Sequence, residues 1–268
     1  MVARLISSRI PPFEELGVPE IAREIIMRPH GLILVTGPAG SGKSTTIAAM
    51  LDYVNHAKGA HIVCIEDPIE FIHTHDKSVI EQREIGQDAP TFADALRDVF
   101  RQSPDIIMIG EMRDIETMQL ALTLAETGHL IVATLHTQDT THAINRIVDV
   151  FPPEQQQQVY TQLSMVLSAV ISQMLIVSTD KARRHLAYEV MNVNLAIRNL
   201  IREMQLQQIY AVIQTGRAQQ MVTMNDSLKE LVLSGRIDQE TAVGRSPRPK
   251  ELVRMLEHFS APKKAGWV

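Results

Sequence analysis

Gly37-Pro38-Ala39-Gly40-Ser41-Gly42-Lys43-Ser44 satisfies every fixed position of the pattern G-x-x-x-x-G-K-[ST]. Glycines in such a loop let the backbone turn its N–H groups inward around phosphate oxygens, and a helix starting near Lys43 adds the positive end of its dipole. Lys43 then reaches the β- and γ-phosphates of a nucleoside triphosphate, and the Ser44 hydroxyl ligates Mg²⁺, an ion that favours oxygen ligands. A glycine-rich turn with a solvated lysine is the plain alternative. An apolar run before the loop and a helical period after it argue for the phosphate cradle.

Hydrolysis needs one carboxylate that orients or deprotonates water and another that holds the metal. Two acidic stretches stand where such groups belong, beyond the carboxyl ends of apolar runs. They are Glu66-Asp67-Pro68-Ile69-Glu70-Phe71 and Gly110-Glu111-Met112-Arg113-Asp114. Gly110 follows the second run where an Asp is usual, so the acid is Glu111 and its contact to the metal is expected through water. Helix caps and solvated loop acids are the alternative reading. His136, in Thr134-Leu135-His136-Thr137, ends another apolar run at the same edge and could sense a γ-phosphate, although a lone histidine is more often structural. His129, in Thr127-Gly128-His129-Leu130, enters that run and is the weaker candidate. No H-E-x-x-H or cysteine partner accompanies His73/His75 or His136/His142, so no zinc site is expected.

The elements that must carry these residues follow from periodicity. Leu32–Val35, Ile62–Ile65, Ile106–Ile109 and Leu130–Ala133 read as buried parallel strands. Between them, Ile47, Met50, Leu51 and Val54 share a helix face. Phe92, Leu96, Val99 and Phe100 share another behind a Thr91/Asp94 cap, and Met118, Ala121, Leu122 and Ala125 a third. Past Pro152-Pro153 the spacing of Val159, Leu163, Val166, Leu167, Val170 and Met174 predicts one long amphipathic helix, followed by a strand at Leu186–Val190. From Asn194 onward the chain reads as helical, with breaks at Gly216, Gly235 and Gly244–Pro249. Alternating strands and helices imply a mostly parallel sheet covered on both faces.

Composition bounds the partners. Among 268 residues, 45% are hydrophobic and 21% charged, which is the make-up of a folded globular chain. The formal charge of −5, the 4% aromatic content and the lack of a basic tract make nucleic acid a poor partner, which weighs against a RecA-like helicase or recombinase. The lone Cys64 excludes a disulfide framework within one chain and points to a reducing compartment. Neither a signal-peptide h-region in the first thirty residues nor an apolar stretch of about 18 residues is present, so membrane association is expected only through a partner.

The ordered motifs GPAGSGKST (37–45), IEDPIEF (65–71), GEMRD (110–114), TGHL (127–130), TLHT (134–137) and AIRNLIRE (196–203) together resemble the secretion ATPases of type II and type IV systems, and within that family its pilus-retraction branch. The resemblance spans nearly all of residues 5–240. It implies an α/β chain with a RecA-like P-loop NTPase core, residues 31–192, preceded by an interdomain linker and lead-in helix, 1–30, and followed by a C-terminal helical subdomain, 193–268. It implies ATP bound by Gly37 to Thr45, Glu70 as general base, Glu111 as water-mediated partner of Mg²⁺, and coupling through His136. It further implies a homohexamer at the cytoplasmic face of the inner membrane, engaging a pilus platform protein and driving pilus depolymerisation for twitching motility. A non-hydrolysing, nucleotide-gated subunit or an assembly-type ATPase is the competing expectation. Assembly and secretion relatives carry a four-cysteine zinc element that one cysteine cannot build.

Alone, Ala196–Glu203 reads as an ordinary amphipathic helix with Ile197, Leu200, Ile201 and Met204 on one stripe and Arg198 and Arg202 on another side. Family members also carry an N-terminal domain of about 100 residues. Only 36 residues precede Gly37 here, so the chain is read as lacking that domain, with Arg9–Glu15 as the linker. An arginine supplied from outside the core is worth about 10³–10⁵ in rate, so slow turnover by this chain alone is expected.

Overall fold

Each predicted apolar run becomes a strand, and the central strands are covered on both faces. The computed structural model describes residues 9–260; residues 1–8 of the predicted lead-in and 261–268 of the predicted C-terminal subdomain lie outside the described residues. Two short helices, α1 (Phe13–Leu16) and α2 (Ile21–Ile26), precede β1 (Gly31–Thr36), α3 (Lys43–Ala57) and β2 (His61–Glu66). Next come β3 (Val79–Glu84), α4 (Phe92–Val99), β4 (Ile106–Ile109), α5 (Ile115–Glu126) and β5 (Leu130–Leu135). Helices α6 (Thr140–Val148) and α7 (Pro153–Val166) lead to β6 (Leu167–Val177) and β7 (Arg184–Asn192). The chain closes with α8 (Leu195–Arg202), α9 (Ile209–Thr215), α10 (Met224–Leu233), α11 (Gln239–Arg245) and α12 (Pro249–Ser260).

The seven strands form one sheet in the order β3-β2-β4-β5-β1-β6-β7. All neighbours are parallel except the antiparallel pair β6–β7. Every residue of β1, β4 and β5 is buried, as a sheet layered by helices on both sides requires. One apolar cluster joins α4 to α9 to one face, and a second joins α1, α2 and α3 to the other. A third seats α10, α11 and α12 on the far ends of β6 and β7 through Ile176 and Ala187.

The predicted long helix is the main correction. α7 stops at Val166, and Leu167–Val177 is strand β6, entered with no intervening loop. The helical spacing of Val166, Leu167 and Val170 ignored Ala169 and Ile171, which are equally buried. A run apolar at nearly every position, rich in Val and Ile, is a doubly covered strand, and periodicity alone does not separate it from a helix. Arg198 stabilises the switch by donating to the carbonyls of Ser164, at 2.8 Å, and Met165 in the last turn of α7. Gly31 allows the close approach, because a Cβ there would lie 3.0 Å from the Val166 carbonyl oxygen.

Three smaller differences share one cause, that local pattern does not report tertiary exposure. Edge strand β3 is missing from the sequence reading because VIEQRE offers only two apolar residues. Met204 leaves the predicted α8 stripe, sitting beyond the helix end at φ 56° and exposed. Gly244 lies inside α11, so the predicted break begins after Arg245.

Candidate active site

The carboxyl ends of β1, β2, β4 and β5 converge on a cavity of about 560 Å³. Its floor is the glycine loop between β1 and α3. Gly37, at φ 145°, passes so close to β6 that a Cβ there would lie 2.2 Å from the Gln173 carbonyl oxygen. Gly42, at φ 89°, starts α3, and no side chain caps that helix. A 15-residue helix thus presents an uncapped N-terminus to the cavity, the arrangement that favours an anion. Ala39, Gly40, Gly42, Lys43, Ser44 and Thr45 line the cavity, whereas Gly37, Pro38 and Ser41 do not.

Lys43 is buried, and its Nζ donates to the carbonyls of Gly37, at 3.0 Å, and Pro38, at 3.2 Å. Burial lowers its pKa below the usual lysine value, against the opposing pull of Glu111 and Glu70. The same ammonium lies 3.3 Å from His136 Nδ1, while His136 Nε2 lies 3.4 Å from Glu111 Oε1. An ammonium only donates, so Nδ1 accepts and the ring proton sits on Nε2, facing the carboxylate.

The acids arrive from the next two strands in the sheet. Glu111 and Arg113 sit on the loop after β4, and Asp114 anchors that loop by accepting from Thr117 N–H, at 2.8 Å, as the cap of α5. Burial alone would raise the Glu111 carboxyl; Arg113, 2.7 Å away, and His136 outweigh it and hold the pKa below the ordinary value. Glu70 follows β2 and lines the cavity with Asp67 and Pro68. Glu66 at the end of β2 is buried and accepts from Gln82 Nε2, at 3.1 Å, and burial raises its pKa. Thr134 donates its hydroxyl to the Gly110 carbonyl, joining the ends of β4 and β5.

All four predicted catalytic residues, Lys43, Glu70, Glu111 and His136, therefore line one cavity, with Ser44 among them. His129 lies at the opposite end of β5, where its ring meets the Leu124 carbonyl at 3.1 Å and the Thr127 hydroxyl at 3.2 Å. Sequence reasoning missed Gln173, Leu175 and Arg184, because all three belong to the β6–β7 pair misread in part as helix. Gln173 is almost fully buried and donates from Nε2 to the Ser41 carbonyl at 2.9 Å, bracing the loop, and Leu175 and Arg184 line the cavity.

Among the described residues, no group of three or more His, Cys, Asp or Glu side chains could enclose a metal. Ser44 and the carboxylates offer oxygen only, a donor set that fits Mg²⁺ held jointly with phosphates and water rather than by a protein cage. Among the described residues, no helix is long and apolar enough to cross a membrane.

A chain built this way is a P-loop nucleotide-binding protein of RecA-like α/β fold. It belongs to the Type II/IV secretion system protein family, whose model matches residues 12–258. The twitching motility protein of Neisseria gonorrhoeae is 49% identical over 94% of this chain and 67% of its own length. The type IV pilus retraction ATPase PilT of Pseudomonas aeruginosa is 50% identical over 93% of this chain and 72% of its own. A crystal structure of the pilus retraction motor PilT with bound ADP superposes with a TM-score of 0.89 at 52% identity, covering 94% of this chain and 71% of the other.

Proposed function

We propose that this chain is an ATP-hydrolysing motor of type IV pilus retraction. The observation that carries the reading is that the buried Lys43 of the glycine loop faces Glu70 and Glu111 across one cavity. Relatives at about half identity, named for pilus retraction and twitching motility, supply the direction of the work.

In the proposed mechanism the backbone N–H groups of residues 39–45 wrap the phosphates. Lys43 gives up its carbonyl contacts to meet the β- and γ-oxygens, and Glu70 takes the proton of the attacking water. Ser44 and, through water, Glu111 would hold Mg²⁺, which when bound neutralises charge building on the phosphates. His136, donating from Nε2 to Glu111 and accepting from Lys43, would register the γ-phosphate that replaces it as partner of the lysine.

Residues 31–192 are proposed as the catalytic core, with 1–30 as lead-in and 193–268 as the helical subdomain. The proposed working form is a homohexamer on the cytoplasmic face of the inner membrane, bound to a pilus platform protein and reaching the membrane only through it. Phosphate release with Mg-ATP at several protein concentrations, alone and with a relative's N-terminal domain added, tests the reading. Turnover rising with assembly supports a motor. Tight binding with no turnover under any of these conditions would establish a nucleotide-gated subunit instead.

A further inference from the structure

Glu189 takes no part in the cavity, yet it is a carboxylate buried to 3% exposure in the middle of β7. Its Oε1 accepts from both the backbone N–H, at 3.1 Å, and the hydroxyl, at 2.7 Å, of Thr140, the first residue of α6. Its Oε2 accepts from the N–H of Met224, at 3.4 Å, the first residue of α10. Thr140 follows His136 by four residues on a short connection, and Ser172, the β6 register partner of Glu189, holds that connection by donating to the Gln138 carbonyl at 3.0 Å. On the other side, Val190 pairs with Val222 through two backbone hydrogen bonds of 2.8 and 3.2 Å, which straps the start of α10 to β7.

One buried side chain thus joins the segment behind His136 to the helices that close the chain. Burying a carboxylate is costly unless it is hydrogen-bonded. Here three donors converge on the two carboxylate oxygens, so a carboxylate suits the site where an amide would turn an NH₂ against one of them, although burial, with the Asp139 carboxylate adding to it, raises the Glu189 pKa. We infer that Glu189 is a positioning residue that fixes the His136 segment against the start of α10, so that a γ-phosphate met by His136 is registered in the C-terminal helices. The inference rests on the proposed role of His136 at the nucleotide.

The test uses the whole chain, calorimetry with Mg²⁺ and either ADP or the β,γ-imido analogue of ATP, and hydrogen exchange of amides 222–228. In the unmodified chain the imido analogue should bind more tightly than ADP and slow exchange at 222–228 relative to ADP. Glu189→Ala should weaken the imido analogue about tenfold while ADP stays within about twofold, as His136→Ala should, and the double variant should lose no more than either. Glu189→Gln keeps an oxygen on Thr140 but sets an NH₂ against Met224 N–H. It should retain affinity for both nucleotides and lose the exchange difference. If Glu189→Ala does not fold, Thr140→Val, which removes one donor, should weaken the imido analogue about threefold and leave ADP unchanged. Equal loss of both nucleotides, or an exchange difference that survives in every variant, would overturn the inference while the nucleotide site stands. No binding of either nucleotide to the unmodified chain would overturn the site reading and this inference with it.

Discussion

His136 Nδ1 lies 3.3 Å from Lys43 Nζ, so the loop lysine and the histidine after β5 are partners. A triphosphate must compete for that ammonium. The carbonyls of Gly37 and Pro38 hold it as well, which keeps the buried cation satisfied.

Replacing that cation separates binding from folding. Lys43→Ala should weaken Mg-ATP by at least about tenfold, read by calorimetry, because the charge-assisted contacts to two phosphates are lost. Relief of the lysine's desolvation cost opposes the loss of its contacts to the Gly37 and Pro38 carbonyls, so Tm should shift by less than about 5 °C. A Tm drop of more than about 5 °C would show Lys43 to be a structural residue instead.

Glu70 should matter to turnover and not to affinity. Glu70→Gln is expected to bind Mg-ATP within about threefold of the unmodified chain and to release phosphate about 10²–10⁴ times more slowly. Turnover at the original rate would remove Glu70 as the base and leave Glu66 or Glu111 to be tried.

The contrast between two loop glycines tests the packing of β6 under the loop. An alanine Cβ at Gly37 would lie 2.2 Å from the Gln173 carbonyl oxygen and 2.6 Å from Ser41 Oγ, whereas at Gly40 nothing lies within 4 Å. Gly37→Ala should cost about 3–5 kcal/mol and lower Tm on the order of 10 °C. Gly40→Ala carries only the cost of its left-handed backbone, about 1–2 kcal/mol. Equal melting of the two variants would contradict the close approach of strand and loop.

The acid limb of stability carries a signature of Glu111. Its pKa in the folded chain lies below the ordinary glutamate value of 4.5, so the folded state binds fewer protons than the unfolded one between those two values. Stability rises with pH in that window. The contribution is fully present above about pH 4.5 and is lost as pH falls through the folded value. Glu111→Gln should flatten this limb in denaturant midpoints measured from pH 6 downward. An unchanged slope would mean that Arg113 and His136 do not hold the carboxylate in solution.

Much of the site was readable in one dimension because its parts are local. The glycine spacing from Gly37 to Ser44 sets the loop conformation, and the acids fall within a few residues of the strands that present them. The carboxyl edge of a parallel sheet collects such residues whatever the strand order. Caps were also local, since Thr91 accepts from Asp94 N–H at 3.1 Å as the spacing implies. β6 was not readable, because a mainly apolar run carries both periods and only its place between β1 and β7 selects the strand. Gln173 was lost with it, while Arg184 and Glu189 belong to β7, whose strand was read at Leu186–Val190, and were missed because nothing near them in sequence says that they face the cavity or the start of α6.

The sequence by itself determined the phosphate cradle, the acids and histidine set around it, and the alternation of strands and helices that makes a parallel sheet, because each follows from residues within a turn or a strand length of one another. Tertiary structure alone decided that α7 passes straight into β6 and that Gln173 braces the loop. It also decided that Glu189 binds two helix starts whose first residues, Thr140 and Met224, lie far apart along the chain. Those outcomes depend on which surfaces are buried together, and burial is a property of the whole packed chain.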